Sequence, residues 1–270
     1  MTGKALTTLL PAVFLLTAPS CSVKEYREDC PCFLSVDLRR AFDDIVNGPE
    51  ELLVSVYCPQ TCYSGTYLSR DFPDSLELLV PRGQITVSAV SVRDSKSVKD
   101  KALLISYGNQ ADSVYAFSAV VDASGESASE TVDLHKQYST VYLQFLWPEG
   151  GAPSSSPGLR IKSDTNGLLI DALEPSSGEF CIELAPADIR ERLSFRIPRQ
   201  TDKSLTLELL DRSSGEILDS INLGESIDRT GYDWNAEDLR DIYIEIDYTK
   251  TDALVTVKEW DDEDPFTETI

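Results

Sequence analysis

The sequence predicts an all-β chain built as two β-sandwiches in tandem, and three observations predict it. Apolar residues alternate with polar ones in short runs along most of the chain, the period-2 pattern of half-buried strands. Those runs recur every 10 to 15 residues and are punctuated by Gly, Pro, Asn and Ser, as in sandwich folds. Helical periodicity is confined to two short stretches.

Taken in order, "FLSVDL" places Leu34, Val36 and Leu38 on one face, with Ser35 and Asp37 on the other. "LLVSVYC" forms a second strand that ends at Cys58. "QITVSAV" alternates Ile85, Val87 and Ala89, and "TVYLQFLW" alternates Val141, Leu143 and Phe145. "SLTLELL" contributes Leu205, Leu207 and Leu209, turns at "DRSSG" and returns as "EILDSI". "DIYIEIDY" puts Ile242, Ile244 and Ile246 on one face, and "ALVTVKEW" follows as the last strand. Asn166-Gly167 reads as a two-residue hairpin turn. "APADIRERL" and "NAEDLRDI" read as helices of about two turns, the second capped by Asn235.

Residues 147–159, "WPEGGAPSSSPGL", are dense in Pro, Gly and Ser without periodicity and read as a linker. The cut gives an N-terminal sandwich over 30–146 and a C-terminal one over 160–260, with an acidic tail at 261–270.

The first twenty residues form a targeting segment. Lys4 is followed by the apolar run "ALTTLLPAVFLLTA", shorter than the ~20 residues a spanning helix needs, so residues 1–20 read as a cleavable export signal. Cys21 follows it directly, after the small residues Ala18 and Ser20, and is the expected lipidation site. Several acyl chains on one residue hold a protein to a bilayer far better than one does, because each buried CH₂ contributes about 0.8 kcal/mol. Residues 21–29 then form a polar tether.

The 270-residue chain has a formal charge of −22, and removal of residues 1–20 makes it −23, with 23 Lys and Arg against 46 Asp and Glu. That balance excludes nucleic acid as a partner class and electrostatic docking on anionic lipid. In an oxidising compartment Cys30, Cys32, Cys58 and Cys62 are candidates for disulfides. Folding residues 32–58 back on themselves would bring Cys32 near Cys58 and Cys30 near Cys62, although four cysteines allow three pairings. Zinc is the competing reading of C-x-C and C-x₃-C, but structural zinc sites use other spacings. Cys181, distant in sequence, is expected to be a buried free thiol.

No residue set points to catalysis, a metal or a cofactor. His135 is the single histidine, so a Ser-His-Asp arrangement would hang on one residue, and a solvated position at a strand edge accounts for it. Adjacent carboxylates such as Asp43 and Asp44 point to opposite faces of a strand rather than into one cleft. "DTNGLLID" lacks the ligand spacing of a calcium loop.

A lipidated cysteine, a charged tether, C-P-C and an alternating strand, "CSVKEYREDCPCFLSVDL", resemble the start of the FimB-type fimbrial anchor lipoproteins of Bacteroides-like bacteria. "VDLHKQYSTVYLQF", "DLRDIYIEIDYTKTDALVTVKEW" and the overall length resemble the same family. The resemblance implies tandem transthyretin-like, Ig-like sandwiches on the outer membrane, facing outward. It also implies fimbrial stalk or accessory subunits as partners, engaged by strand addition, and a role in anchoring the fimbria and ending its growth. Ser22 and the Lys24-Glu25 pair resemble outer-membrane sorting and surface-export signals of the same bacteria. Arg39-Arg40 offers a candidate protease site after the first strand, and "ALVTVKEW" with its tail a candidate subunit contact; a solvated pair and a plain edge strand are the bland readings. A surface glycan-binding lipoprotein is the alternative function, and it requires an aromatic platform that Trp147, Trp234 and Trp260 are too scattered to predict.

Overall fold

The computed structural model describes residues 30–41, 51–58, 61–68, 73–93, 97–153, 156–249 and 254–258. The first sandwich draws on β1 (Cys32–Asp37), β2 (Glu51–Tyr57), β3 (Thr61–Leu68), β4 (Ser75–Val80), β5 (Gln84–Val92), β8 (Tyr115–Asp122), β9 (Ser127–Thr131) and β10 (His135–Lys136). They form a three-stranded sheet, β4-β1-β9, facing a five-stranded sheet, β10-β8-β5-β2-β3. Between them lies a core that includes Leu34, Val36, Leu52, Val54, Ile85 and Val87. The alternation read from the sequence is what fills it: each of these residues lies on the inward face of its strand.

The second sandwich draws on β6 (Val98–Lys99), β7 (Ala102–Leu104), β11 (Tyr138–Leu146), β12 (Gly158–Leu169), β13 (Glu174–Leu184), β14 (Leu193–Pro198), β15 (Thr206–Leu210), β16 (Ile217–Asn222), β17 (Ile242–Asp247) and β18 (Leu254–Lys258). One sheet runs β14-β11-β17-β18, and the other runs β16-β15-β12-β7-β6 with β13 also paired to β12. Phe180, Phe195, Leu207 and Ile244 are among the side chains buried between them. Trp147 stacks on Tyr248 with ring centroids 4.6 Å apart and joins this core from its rim, as packing rather than as a platform.

Strand partners differ from the expected partition. The cut at 147–159 leaves Tyr138–Leu146 with the first half, but backbone pairing puts β11 in the second sandwich, antiparallel to β14 and parallel to β17. The β6–β7 hairpin likewise adds to the second sandwich by pairing Ala102–Leu104 with Gly167–Leu169 of β12. An alternating pattern identifies a strand and its buried face; it carries no information about which strand lies alongside.

Asn166-Gly167 is not a hairpin turn. Both residues lie within β12, beside a bulge opposite β13, and the chain turns instead at 170–173. Gly167 is required by close approach: a Cβ there would lie 2.2 Å from the backbone oxygen of Leu103 on β7.

The two predicted helices are absent, and the stretches form turns. Asn235 donates its backbone N–H to Asp233 Oδ1 at 2.9 Å rather than capping a helix. Among the described residues the helix that forms is α1 (Leu223–Arg229), which begins at Asn222, whose side chain accepts from Glu225 N. The Asn-x-x-Glu spacing is a capping signal, although Asp188-x-x-Glu191 carries a similar spacing without starting a helix.

The turn after β15 follows its sequence closely. Asp211 Oδ1 accepts from Ser213 N and Ser214 N, each at 2.8 Å, and Gly215 takes φ +73°. These bonds, the Ser213 side chain foremost, hold the Asp211 carboxyl down to about 2.

Two outcomes are expected. Gly167→Ala pushes β7 away from β12 and destabilises the protein by about 1–3 kcal/mol, measured as a lower urea midpoint. The lowered carboxyl of Asp211 stabilises the fold above its unfolded-state value, and that contribution disappears as pH falls through about 2. The destabilisation caused by Asp211→Ala at pH 7 therefore shrinks below about pH 4 and vanishes near pH 2 in paired denaturation curves.

Candidate functional site at the first strand and the sheet edges

β1 lies in the middle of its sheet. It runs antiparallel to β4, with Cys32 opposite Val80 and Asp37 opposite Ser75, and parallel to β9, with Phe33 opposite Ser127. Cys32, Leu34, Val36 and Leu38 are all fully buried. Burying a Leu or Val side chain contributes about 1.5–3 kcal/mol, so these residues together rival the ~5–15 kcal/mol that separates folded from unfolded domains. The strand is integral to the sandwich.

Both ends of β1 are fastened. At its start Phe33 N donates to Glu126 O at 2.9 Å, and Arg82 Nε donates to the carbonyl of Cys30 at 2.8 Å. At its end Leu38 N donates to Asp74 O, and Val132 N donates to Asp37 O. Arg39 grips Asp37 through Nε, at 3.0 and 3.2 Å from its two oxygens, and through Nη2 at 2.5 Å. That guanidinium lowers the Asp37 carboxyl to about 2. Arg39 and Arg40 are exposed in the turn that follows.

The cysteines pair differently from the expectation. Cys58 bonds to Cys62, with Cα atoms 5.9 Å apart, while Cys30 is an exposed and Cys32 a buried free thiol. The reason lies in the β2–β3 hairpin, where Tyr57 faces Thr61 across a register shift and brings Cys58 and Cys62 together within a single turn. β1, in the opposite sheet, is held by burial and hydrogen bonds instead of by disulfides. Cys181 is buried and free on β13, as expected. Cys21 and Trp260 lie outside the described residues.

Several surface features were not legible as motifs. Phe33, 49 % exposed, and Leu79, 69 % exposed, are cross-strand partners on the outer face of the β4-β1-β9 sheet. Ile217 and Leu218 are exposed on β16, which ends its sheet. Apolar residues on an edge strand favour pairing with another chain. The β14 edge is covered instead: Ala111 N donates to Arg196 O at 3.2 Å, and Arg196 N donates to Gln110 Oε1 at 3.1 Å. β18 pairs with β17 along one side and ends its sheet on the other. Alternation gives a residue's face, while exposure at an edge depends on sheet order.

His135 lies on β10 at the sheet margin, with Nδ1 3.1 Å from Asp238 Oδ2. The contact joins β10 to the loop before β17, alongside Lys136 N donating to Asp238 Oδ1 at 2.6 Å.

No family model matches the chain, and no curated protein matches it in sequence. Solved structures do match its fold. The fimbrial anchor protein Mfa2 from Porphyromonas gingivalis is 13 % identical with a TM-score of 0.56, covering 84 % of this chain and 95 % of its own. A candidate adhesin from Bacteroides thetaiotaomicron is 11 % identical with a TM-score of 0.57, over 86 % and 97 % of the two chains. A candidate polysaccharide-binding protein from the same species is 14 % identical with a TM-score of 0.53, over 86 % and 99 %. At such identities the likeness establishes a shared all-β sandwich fold.

The fastening of β1 generates a prediction. Trypsin acting at Arg39 or Arg40 of the native protein leaves the N-terminal fragment bound, so both pieces co-elute in gel filtration. They separate only in denaturant, and a nick that releases β1 in native buffer would show that the strand is detachable.

Proposed function

We propose that this protein is a lipid-anchored subunit at the base of a fimbria, joining it to the outer membrane and terminating its growth. The supporting observation is the position of β1, central in its sheet and only a short tether away from Cys21. A subunit that polymerises by opening a groove for a neighbour's strand must give up a strand of its own. Here the strand that follows the tether is fully buried on its inner face and paired on both sides. Retaining it leaves no acceptor groove on the membrane side, so the polymer has an end there.

Lipid on Cys21 keeps that end at the membrane, and the remaining edges face outward for the next subunit. Strand addition at an edge such as β18 supplies backbone hydrogen bonds to the partner, while neighbouring side chains supply specificity. The fold shared with a fimbrial anchor protein is consistent with this role.

Deletion of the gene is expected to give longer fimbriae that are shed into the medium, counted by electron microscopy and blotting of cell and medium fractions. Cys21→Ser moves the protein from the membrane to the soluble fraction and reproduces the shedding. Unchanged, cell-attached fimbriae in both strains would sink the anchor role.

A further inference from the structure

A cavity of about 410 Å³ lies where the two sandwiches meet, between the loop 105–114, the end of β12 and the end of β14. That volume is enough for a small organic ligand. Its frame is fixed by main-chain bonds. Ile105 N donates to Asn166 O at 2.8 Å, Gly108 N to Cys181 O at 2.8 Å, and Ala111 N to Arg196 O at 3.2 Å. The loop is thus tied to β12, β13 and β14 in turn, and Gly108 bends it at φ +85°. Walls held this way lose little freedom when a ligand enters.

The charge of this cavity runs against that of the chain. Arg93, Arg196 and Arg199 line it, and among the described residues Asp112 is the one carboxylate there, in a protein of formal charge −22. Arg199 is spent within the protein. Its Nε donates to Gln137 Oε1 at 3.1 Å, its Nη groups donate to the carbonyls of Trp234 and Ala236, and Asp233 and Asp238 act on its charge. Arg196 commits only Nε, which donates to Ala111 O at 2.8 Å. Among the described residues its Nη groups have no partner, Arg93 has no hydrogen bond or ion pair, and Asp112 pairs with neither. Elsewhere cations such as Lys101, Lys136 and Lys203 sit directly on carboxylates.

Gln110 adds a neutral donor beside Arg196. Its Oε1 accepts from Arg196 N at 3.1 Å, which leaves the Nε2 hydrogens to give. Leu103, Ala111, Val114 and Leu168 line the same cavity, each almost fully buried, and supply an apolar floor. Guanidinium and amide N–H groups donate only, and a guanidinium fork matches the two oxygens of a carboxylate. The cavity therefore offers donors, positive charge and an apolar surface.

We propose that this cavity binds a small organic acid, with its carboxylate on Arg196 and Gln110 in the field of Arg93 and its hydrocarbon part over Leu103, Val114 and Leu168. A neutral sugar would leave the guanidinium charges unanswered, and an amine would meet like charge. Inorganic phosphate would answer the charges but leave the apolar floor in water.

Calorimetric titration of the signal-less chain tests this with hexanoate and phenylpropionate, against hexanamide, acetate and inorganic phosphate. Saturable one-to-one binding of the two acids is expected, weakened by salt. Hexanamide keeps the body but loses the charge, acetate keeps the charge but loses the body, and each binds about tenfold or more weakly. Arg196→Gln lowers the affinity for hexanoate about tenfold. Arg93→Gln, at an exposed position, lowers it about threefold without moving the melting temperature, and carries the test if Arg196→Gln unfolds the chain. Arg190→Gln, in the turn after β13 and outside the cavity, leaves binding unchanged. Hexanamide or phosphate binding as tightly as hexanoate, no saturable binding up to about 10 mM acid, or affinity unaffected by both cavity changes would each overturn the proposal. A peptide ending in a free phenylalanine carboxylate that binds more tightly than phenylpropionate would overturn it in favour of a polypeptide terminus.

Discussion

The pairing of β7 with the far end of β12 fixes how the two sandwiches meet. β12 is twelve residues long, and its first half pairs with β15 inside its own sandwich. Its last three paired residues reach across to a hairpin from the first half of the chain. Around that junction Leu53, Val90, Val92, Leu103, Val114 and Leu168 form a third apolar cluster. Ser118 Oγ donates to Asp171 O at 2.6 Å, and Lys101 pairs with the Asp171 carboxylate at 2.8 Å. Shared backbone hydrogen bonds over an apolar patch resist hinge motion in a way that a flexible linker could not.

Inward faces were largely legible from the sequence, and neighbours were not. Leu34 and Val36, Val141 and Leu143, and Ile242 and Ile244 are buried as their alternation requires. Period-2 patterning reports which side of a strand meets the core, and both sandwiches reward that pattern equally. Sheet order is set by long-range complementarity, so the assignment of β11 and of the β6–β7 hairpin to the second sandwich had no local signature. Turns divide the same way. "DRSSG" carries its own hydrogen bonds and turns where its sequence indicates. Asn166-Gly167 carries a turn signal that tertiary contact with β7 overrides.

The sites divide similarly. Cys58 and Cys62 were visible as cysteines, but their mutual bond depends on a hairpin register shift invisible in the spacing alone. Charge was legible only as a total. The excess of carboxylates is distributed partly into turns, as with Asp37, Asp188 and Asp211, whose carboxyls are each held down to about 2 by neighbouring donors. In those turns the acidic residues organise the backbone as well as solvate it.

The parallel pairing of β1 with β9 bears on the order of events during folding. Phe33 finds its partner at Ser127, and Asp37 finds its partner at Thr131. β1 can pair with β4 early, but its other side stays unpaired until residues 127–131 have been made. Contacts of such long sequence separation form slowly, because the entropy of closing the loop comes before the reward. During that interval the three-stranded sheet is incomplete, and the inward side chains Leu34 and Val36 have only part of their final cover. Topology thus leaves the first strand waiting on the middle of the chain before its sheet can close.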